Sequence, residues 1–151
     1  VIWSKPPSRT ILCVRLLLSA IFLFYGSVKL LGGQYYYGDW TISKSTADGT
    51  SLVWAFYGYS PFYGRVTGLF EFVPAVMLLF RRSAFAGAAA LFAVSLNITL
   101  MDFGFDYPMV KYFAAAYTAL CAFLLVRDRA KLTAVFRDPA VEESPTADRR
   151  G

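Results

Sequence analysis

Four apolar stretches set the rhythm of the chain: residues 10–31, 61–82, 83–101 and 108–126. Each is close to the ~20 residues that a helix needs to cross about 30 Å of hydrocarbon. Within each stretch the small and polar residues recur at helical spacing. Arg15, Ser19, Phe22, Gly26, Lys29 and Gly33 share one face of the first; Gly64, Gly68, Glu71 and Ala75 share one face of the second. The third carries Ala86, Ala90, Ala93 and Asn97, and the fourth Ala114, Thr118 and Ala122 with Tyr117 and Cys121 beside them. Small-residue faces are where membrane helices approach one another. The pattern therefore predicts an all-α integral membrane four-helix bundle with its polar positions turned inward.

The connections differ in kind. Residues 32–60 form a long polar-aromatic link whose segments 41–46 and 50–54 flank Ala47, Asp48 and Gly49, a spacing that suits a short β-hairpin with an Asp-Gly turn. Trp40, Trp54 and Tyr57 would then lie at headgroup depth, as an interfacial cap or as a partner-docking surface. The second and third stretches meet at Arg81 and Arg82, and residues 102–107 (DFGFDY) read as an acidic, aromatic turn. Residues 127–137 extend the fourth helix, completing a transmembrane domain over 1–137; the polar, Pro-containing 138–151 reads as a disordered cytoplasmic tail.

Composition narrows the function classes. Of 151 residues, 57% are apolar and 18% aromatic, which is too greasy for an ordinary soluble domain. The net charge of +5 does not mark a nucleic-acid partner, because the basic residues cluster at the ends of the apolar stretches. Eleven of the fifteen Lys and Arg fall in the N-tail with Arg15, at residues 81–82, or in the C-tail. By the positive-inside rule both termini are cytoplasmic (N-in, C-in) and the 32–60 link is extracytoplasmic. Without a histidine, bis-His haem, most zinc sites and His-based acid–base catalysis fall away. Cys13 and Cys121 sit apart in apolar stretches, so no dithiol centre is expected. No metal site and no catalytic residue is assigned.

Glu71 is the residue to account for. A carboxylate in mid-span costs about 3 kcal/mol even on lenient insertion scales, so it does not face lipid. Helical side chains lean toward their N-terminus, which sends Glu71 outward, Lys29 and Asn97 toward it, and Arg15 away. A Glu71–Asn97–Lys29 polar core is expected, either as structural glue or as a ligand- or proton-handling site. Lys29, Arg65 and Lys111 share one height near the outer interface with Asp39, Asp102 and Asp106. These charges either snorkel and pair, or polarise quinone carbonyls or hold an anionic headgroup. Lys29, Arg65, Glu71, Asn97, Lys111 and Tyr117 are thus the candidate quinone or lipid site.

Arg15-Leu16-Leu17-Leu18, Phe22-x-x-x-Gly26-x-x-Lys29-Leu30, Gly68-x-x-Glu71 and an Ala-rich third stretch together resemble the DoxX-like integral membrane family over residues 11–126. The resemblance implies a four-helix membrane protein of quinone- or thiol-linked redox complexes, such as a small subunit of thiosulfate:quinone oxidoreductase, or a membrane chaperone for receptor assembly. It assigns a role only to Lys29 and Glu71. The expectation is an accessory subunit of a larger, respiratory or redox, complex in a bacterial or archaeal cytoplasmic membrane. It would bind phospholipid or quinone, hold no tightly bound cofactor, and have other integral membrane subunits as partners. A quinone-reactive oxidoreductase subunit and an assembly chaperone or small transporter are the alternatives.

Overall fold

The structure is a computed structural model that describes residues 8–39, 41–43 and 45–130. Trp40, Lys44 and the 131–151 extension and tail lie outside the described residues. Five helices follow in order: α1 Arg9–Leu30, α2 Gly49–Gly58, α3 Pro61–Leu79, α4 Ala84–Gly104 and α5 Val110–Arg127. All but α2 are long and apolar enough to cross a membrane. In each of the four, no more than 33% of the 18-residue apolar window is buried inside the protein. Leu17, Phe24, Phe70, Leu100 and Phe113 are among the large apolar side chains left on the outside. Helices that are apolar on both their packed and their unpacked faces are suited to a hydrocarbon solvent.

The long helices pack in a row: α1 on α3, α3 on α4 and α4 on α5, with only light contact between α5 and α1. The first two joints depend on glycine. A Cβ on Gly68 would lie 2.6 Å from the Gly26 carbonyl oxygen, and one on Gly26 would lie 2.9 Å from the Phe72 nitrogen. Only hydrogen at both positions lets the α1 and α3 backbones come this close. Gly87 likewise brings α4 against the Pro74 carbonyl of α3. The buried α1 face is the one the spacing predicted, from Arg15 through Ser19, Phe22 and Gly26 to Lys29; on α3, Gly64, Gly68, Glu71 and Ala75 are buried.

Three expectations need correction. There is no strand among the described residues, and 49–58 is a helix rather than half of a hairpin. Asp48 is its N-cap, accepting from the Ser51 amide at 2.7 Å, so the Asp-Gly pair opens a helix instead of turning a strand. On α4 the buried face is Gly87, Ala88, Leu91, Ser95 and Asp102, whereas Ala86, Ala93 and Asn97 are exposed. The small stripe is therefore not the packing face, because Gly87 rather than an alanine makes the closest approach. Finally, α4 runs on to Gly104, so Asp102 belongs to its last turn and not to the following loop. That loop takes the chain back through two left-handed residues, Asp106 (φ 54) and Met109 (φ 60).

Candidate functional site

Polar side chains on α1 hold α3 at two levels. Toward the start of α1, Arg15 donates through Nε to the Leu78 carbonyl at 2.8 Å and also through Nη2. Leu78 lies in the last turn of α3, where carbonyls lack a helical partner and the helix end is negative, so a guanidinium is well matched there. Four residues on, Ser19 donates to the Ala75 carbonyl at 3.0 Å. Arg15 thus points away from Glu71, as its lean along α1 predicts.

Toward the end of α1, Lys29 forms a buried ion pair with Glu71 of α3 through Oε1. The two residues approach from opposite sides of the Gly26–Gly68 crossing, where a Cβ on Gly68 would lie 2.9 Å from the Lys29 Cβ. Glu71 and Lys29 are 2% and 7% exposed. Asp102 of α4 is 3% exposed and within electrostatic reach of Lys29. One ammonium thus faces two buried carboxylates. Glu71 Oε2 and Asp102 Oδ2 are buried without a hydrogen-bond partner among the described residues, as is Gln34 Oε1.

Two cavities flank this cluster. One, of about 350 Å³, is walled by α1, α4 and α5, with Gln34, Tyr35, Val53 and Tyr107 at its α2 end. Lys29, Glu71, Ser95 and Asp102 supply its polar lining; Ile21, Phe22, Ile98 and Phe113 are among its apolar walls. On its α1–α5 side, Tyr117 meets Phe22 edge-on with centroids 6.1 Å apart. The second, of about 300 Å³, lies toward α3 and shares Lys29, Tyr35 and Glu71 with the first. It is bounded outside by Tyr57 and Tyr63 and reaches Asn97.

Helix α2 covers the end of the bundle where Lys29 lies. Its Gly49 abuts the Phe105 carbonyl, Val53 faces the larger cavity, and Trp54 lies beside Tyr107. Tyr57 stacks on Tyr35 at 5.0 Å and lies parallel to Tyr63 at 5.7 Å. Burial pushes the phenols of Tyr35, Tyr57 and Tyr107 above their ordinary range, so all three stay protonated near neutral pH.

The sequence-derived set is only partly assembled. Lys29, Glu71 and Tyr117 line the larger cavity, and Tyr57 caps the smaller one. Asn97 reaches the smaller cavity from an exposed position, and Glu71 Oε2 is left without it as a partner. Arg65 is exposed beside Gly32. Lys111 pairs with Asp106 in the α4–α5 turn, over the Phe103 and Tyr112 rings, and does not join the cluster. That pair holds the Asp106 carboxyl below its usual range. Trp54 is 38% exposed, and Trp40 lies outside the described residues. Asp102, Gln34, Tyr35 and Tyr107 were not singled out as site residues. For Asp102 a signal existed: it lies one residue past the expected helix end.

Among the described residues no group of His, Cys, Asp and Glu side chains could hold a metal ion. Over 130 residues the chain is 33% identical to the uncharacterized protein YwoB of Bacillus subtilis, a match covering 85% of this chain and 82% of that protein. No family model and no solved structure matches the chain.

Proposed function

The chain belongs to the family of the uncharacterized Bacillus subtilis protein YwoB, and we propose that it is an integral membrane protein that binds a small amphiphile, lipid or quinone-like, as an accessory subunit of a larger membrane assembly. The observation that carries this reading is the larger cavity: about 350 Å³, apolar along its walls and charged at Lys29, Glu71 and Asp102. A space of that shape matches a molecule with one polar end and an apolar remainder. The light α1–α5 contact puts the thinnest wall of the cavity on the side that would face lipid. The DoxX-like spacing of Lys29 and Glu71 supports the accessory role, as does the exposed aromatic rim of Phe56, Tyr59 and Phe62 at the outer end.

In this reading the four long helices span a bacterial or archaeal cytoplasmic membrane with both termini inside. Helix α2 and the 32–60 connection lie outside. The test is native mass spectrometry of the protein extracted in a mild neutral detergent, with Ala114→Phe as the cavity-filling variant. Wild type is expected to retain a bound amphiphile and to co-purify with a fixed set of membrane subunits. Ala114→Phe should lose the small molecule and keep its helical content. A wild-type protein that carries neither would end the proposal.

A further inference from the structure

The unpartnered oxygens around the larger cavity are all of one kind. Glu71 Oε2 and Asp102 Oδ2 are carboxylate oxygens and Gln34 Oε1 is an amide oxygen, so each accepts hydrogen bonds when the acids are ionised. Glu71 and Asp102 are 2% and 3% exposed, too buried for surface water to serve them. Buried acceptors in folded proteins are almost always paired, and three around one cavity call for an occupant that brings donors.

Formal charge points the same way. With both carboxylates ionised, Lys29, Glu71 and Asp102 sum to −1. Among the described residues, Arg15 is held on the Leu78 carbonyl, Lys111 on Asp106, and Arg65 is exposed beside Gly32. The walls add the aromatic rings of Phe22, Tyr35, Tyr107 and Tyr117, a ring type whose faces favour a cation. A quinone's carbonyl acceptors would find Lys29 as a donor but leave the three acceptor oxygens unpaired, and an anionic headgroup adds negative charge to negative charge.

We propose that the cavity takes the ammonium end of an amine-bearing amphiphile, its N–H groups donating to Glu71, Asp102 and Gln34 and its chain leaving between α1 and α5. This rests on the amphiphile reading above and names the head group that reading leaves open. The source is either a free long-chain amine or an aminophospholipid such as phosphatidylethanolamine, since both present the same –NH3+ donor.

The experiment measures binding to the full chain in a neutral maltoside detergent, with Ala114→Phe as the baseline for non-specific uptake. The probes are dodecylammonium, its neutral counterpart dodecanol, a short-chain ubiquinone and phosphatidylethanolamine. Dodecylammonium is expected to bind at least about tenfold tighter than dodecanol, the scale of one charge-assisted hydrogen bond in a desolvated site. Asp102→Asn should remove most of that preference and leave dodecanol unchanged. If that variant does not fold, the wild-type probe series decides alone. Displacement of dodecylammonium by phosphatidylethanolamine assigns the lipid source, and failure to displace it assigns the free amine; either result sustains the ammonium site. Equal or tighter binding of dodecanol or the quinone overturns the ammonium assignment while the amphiphile reading stands. No binding of any probe above the baseline removes both.

Discussion

Among the described residues of the cluster, Lys29 is the single cation within electrostatic reach of two buried carboxylates. An isolated buried charge is far more costly than a paired one, and removing one partner of a buried pair typically costs about 3–5 kcal/mol. The arrangement makes the two sides of the Lys29–Glu71 pair unequal. Glu71→Leu leaves the ammonium within reach of Asp102, whereas Lys29→Met leaves two carboxylates with no counter-charge. Lys29→Met should therefore cost at least about 3 kcal/mol and Glu71→Leu clearly less, with Glu71→Gln the mildest of the three. Reversible unfolding in mixed micelles measures the ranking. Equal losses for Lys29→Met and Glu71→Leu would show that Asp102 plays no part in balancing the charge.

Helices α1 and α3 meet through glycine, and the crossing sets where their side chains land. The Gly64-x-x-x-Gly68 spacing suggests a single contact, yet its two glycines serve different neighbours. Gly68 lies on Gly26 of α1, while a Cβ on Gly64 would lie 2.8 Å from the Tyr57 carbonyl of α2. A methyl at Gly68 meets backbone atoms that cannot rotate away. Overpacking of that kind costs about 1–3 kcal/mol, and in Gly68→Ala it acts against a helix-propensity gain of about 1 kcal/mol. Net destabilisation is expected, along with a looser Lys29–Glu71 pair. Gly104→Ala is the matched control, since nothing lies within 4 Å of its Cβ; it should be neutral or stabilising by up to about 1 kcal/mol. Thermal melts of the two variants in one detergent compare them directly, and a Gly68→Ala protein as stable as wild type would mean that the helices part without cost.

Across the whole molecule, apolar side chains cover the outside of the four long helices as well as their contacts, so orientation is set by charge at the ends. Asp48 caps α2 at one end of the bundle, and Ala130 follows α5 at the other. With Cys13 and Cys121 replaced, a cysteine at Asp48 is expected to react with an impermeant thiol reagent added outside intact cells. One at Ala130 should react only after the membrane is opened. The reverse pattern would invert the proposed topology.

How much of this was legible before folding depends on the range of the interaction involved. Span number, the inward faces of α1 and α3, and the divergent aims of Arg15 and Lys29 all follow from helical periodicity, side-chain lean and the cost of a charge in hydrocarbon. These are local rules, and the sequence alone determined them. Tertiary contacts decided the rest. Asp48 opens a helix because residues 49–58 have one end of the bundle to pack on, which no local turn rule contains. The α4 face was misread because a backbone approach at Gly87 outweighs a run of alanines. Asp102 entered the site when α4 gained one more turn, while Asn97, chosen by side-chain lean, and Lys111, chosen by height, were carried away by the rotation of their helices. The cavity is the clearest case. Its existence depends on α5 packing on α4 and only lightly on α1, a balance of packing between segments roughly ninety residues apart that no single stretch of the chain encodes.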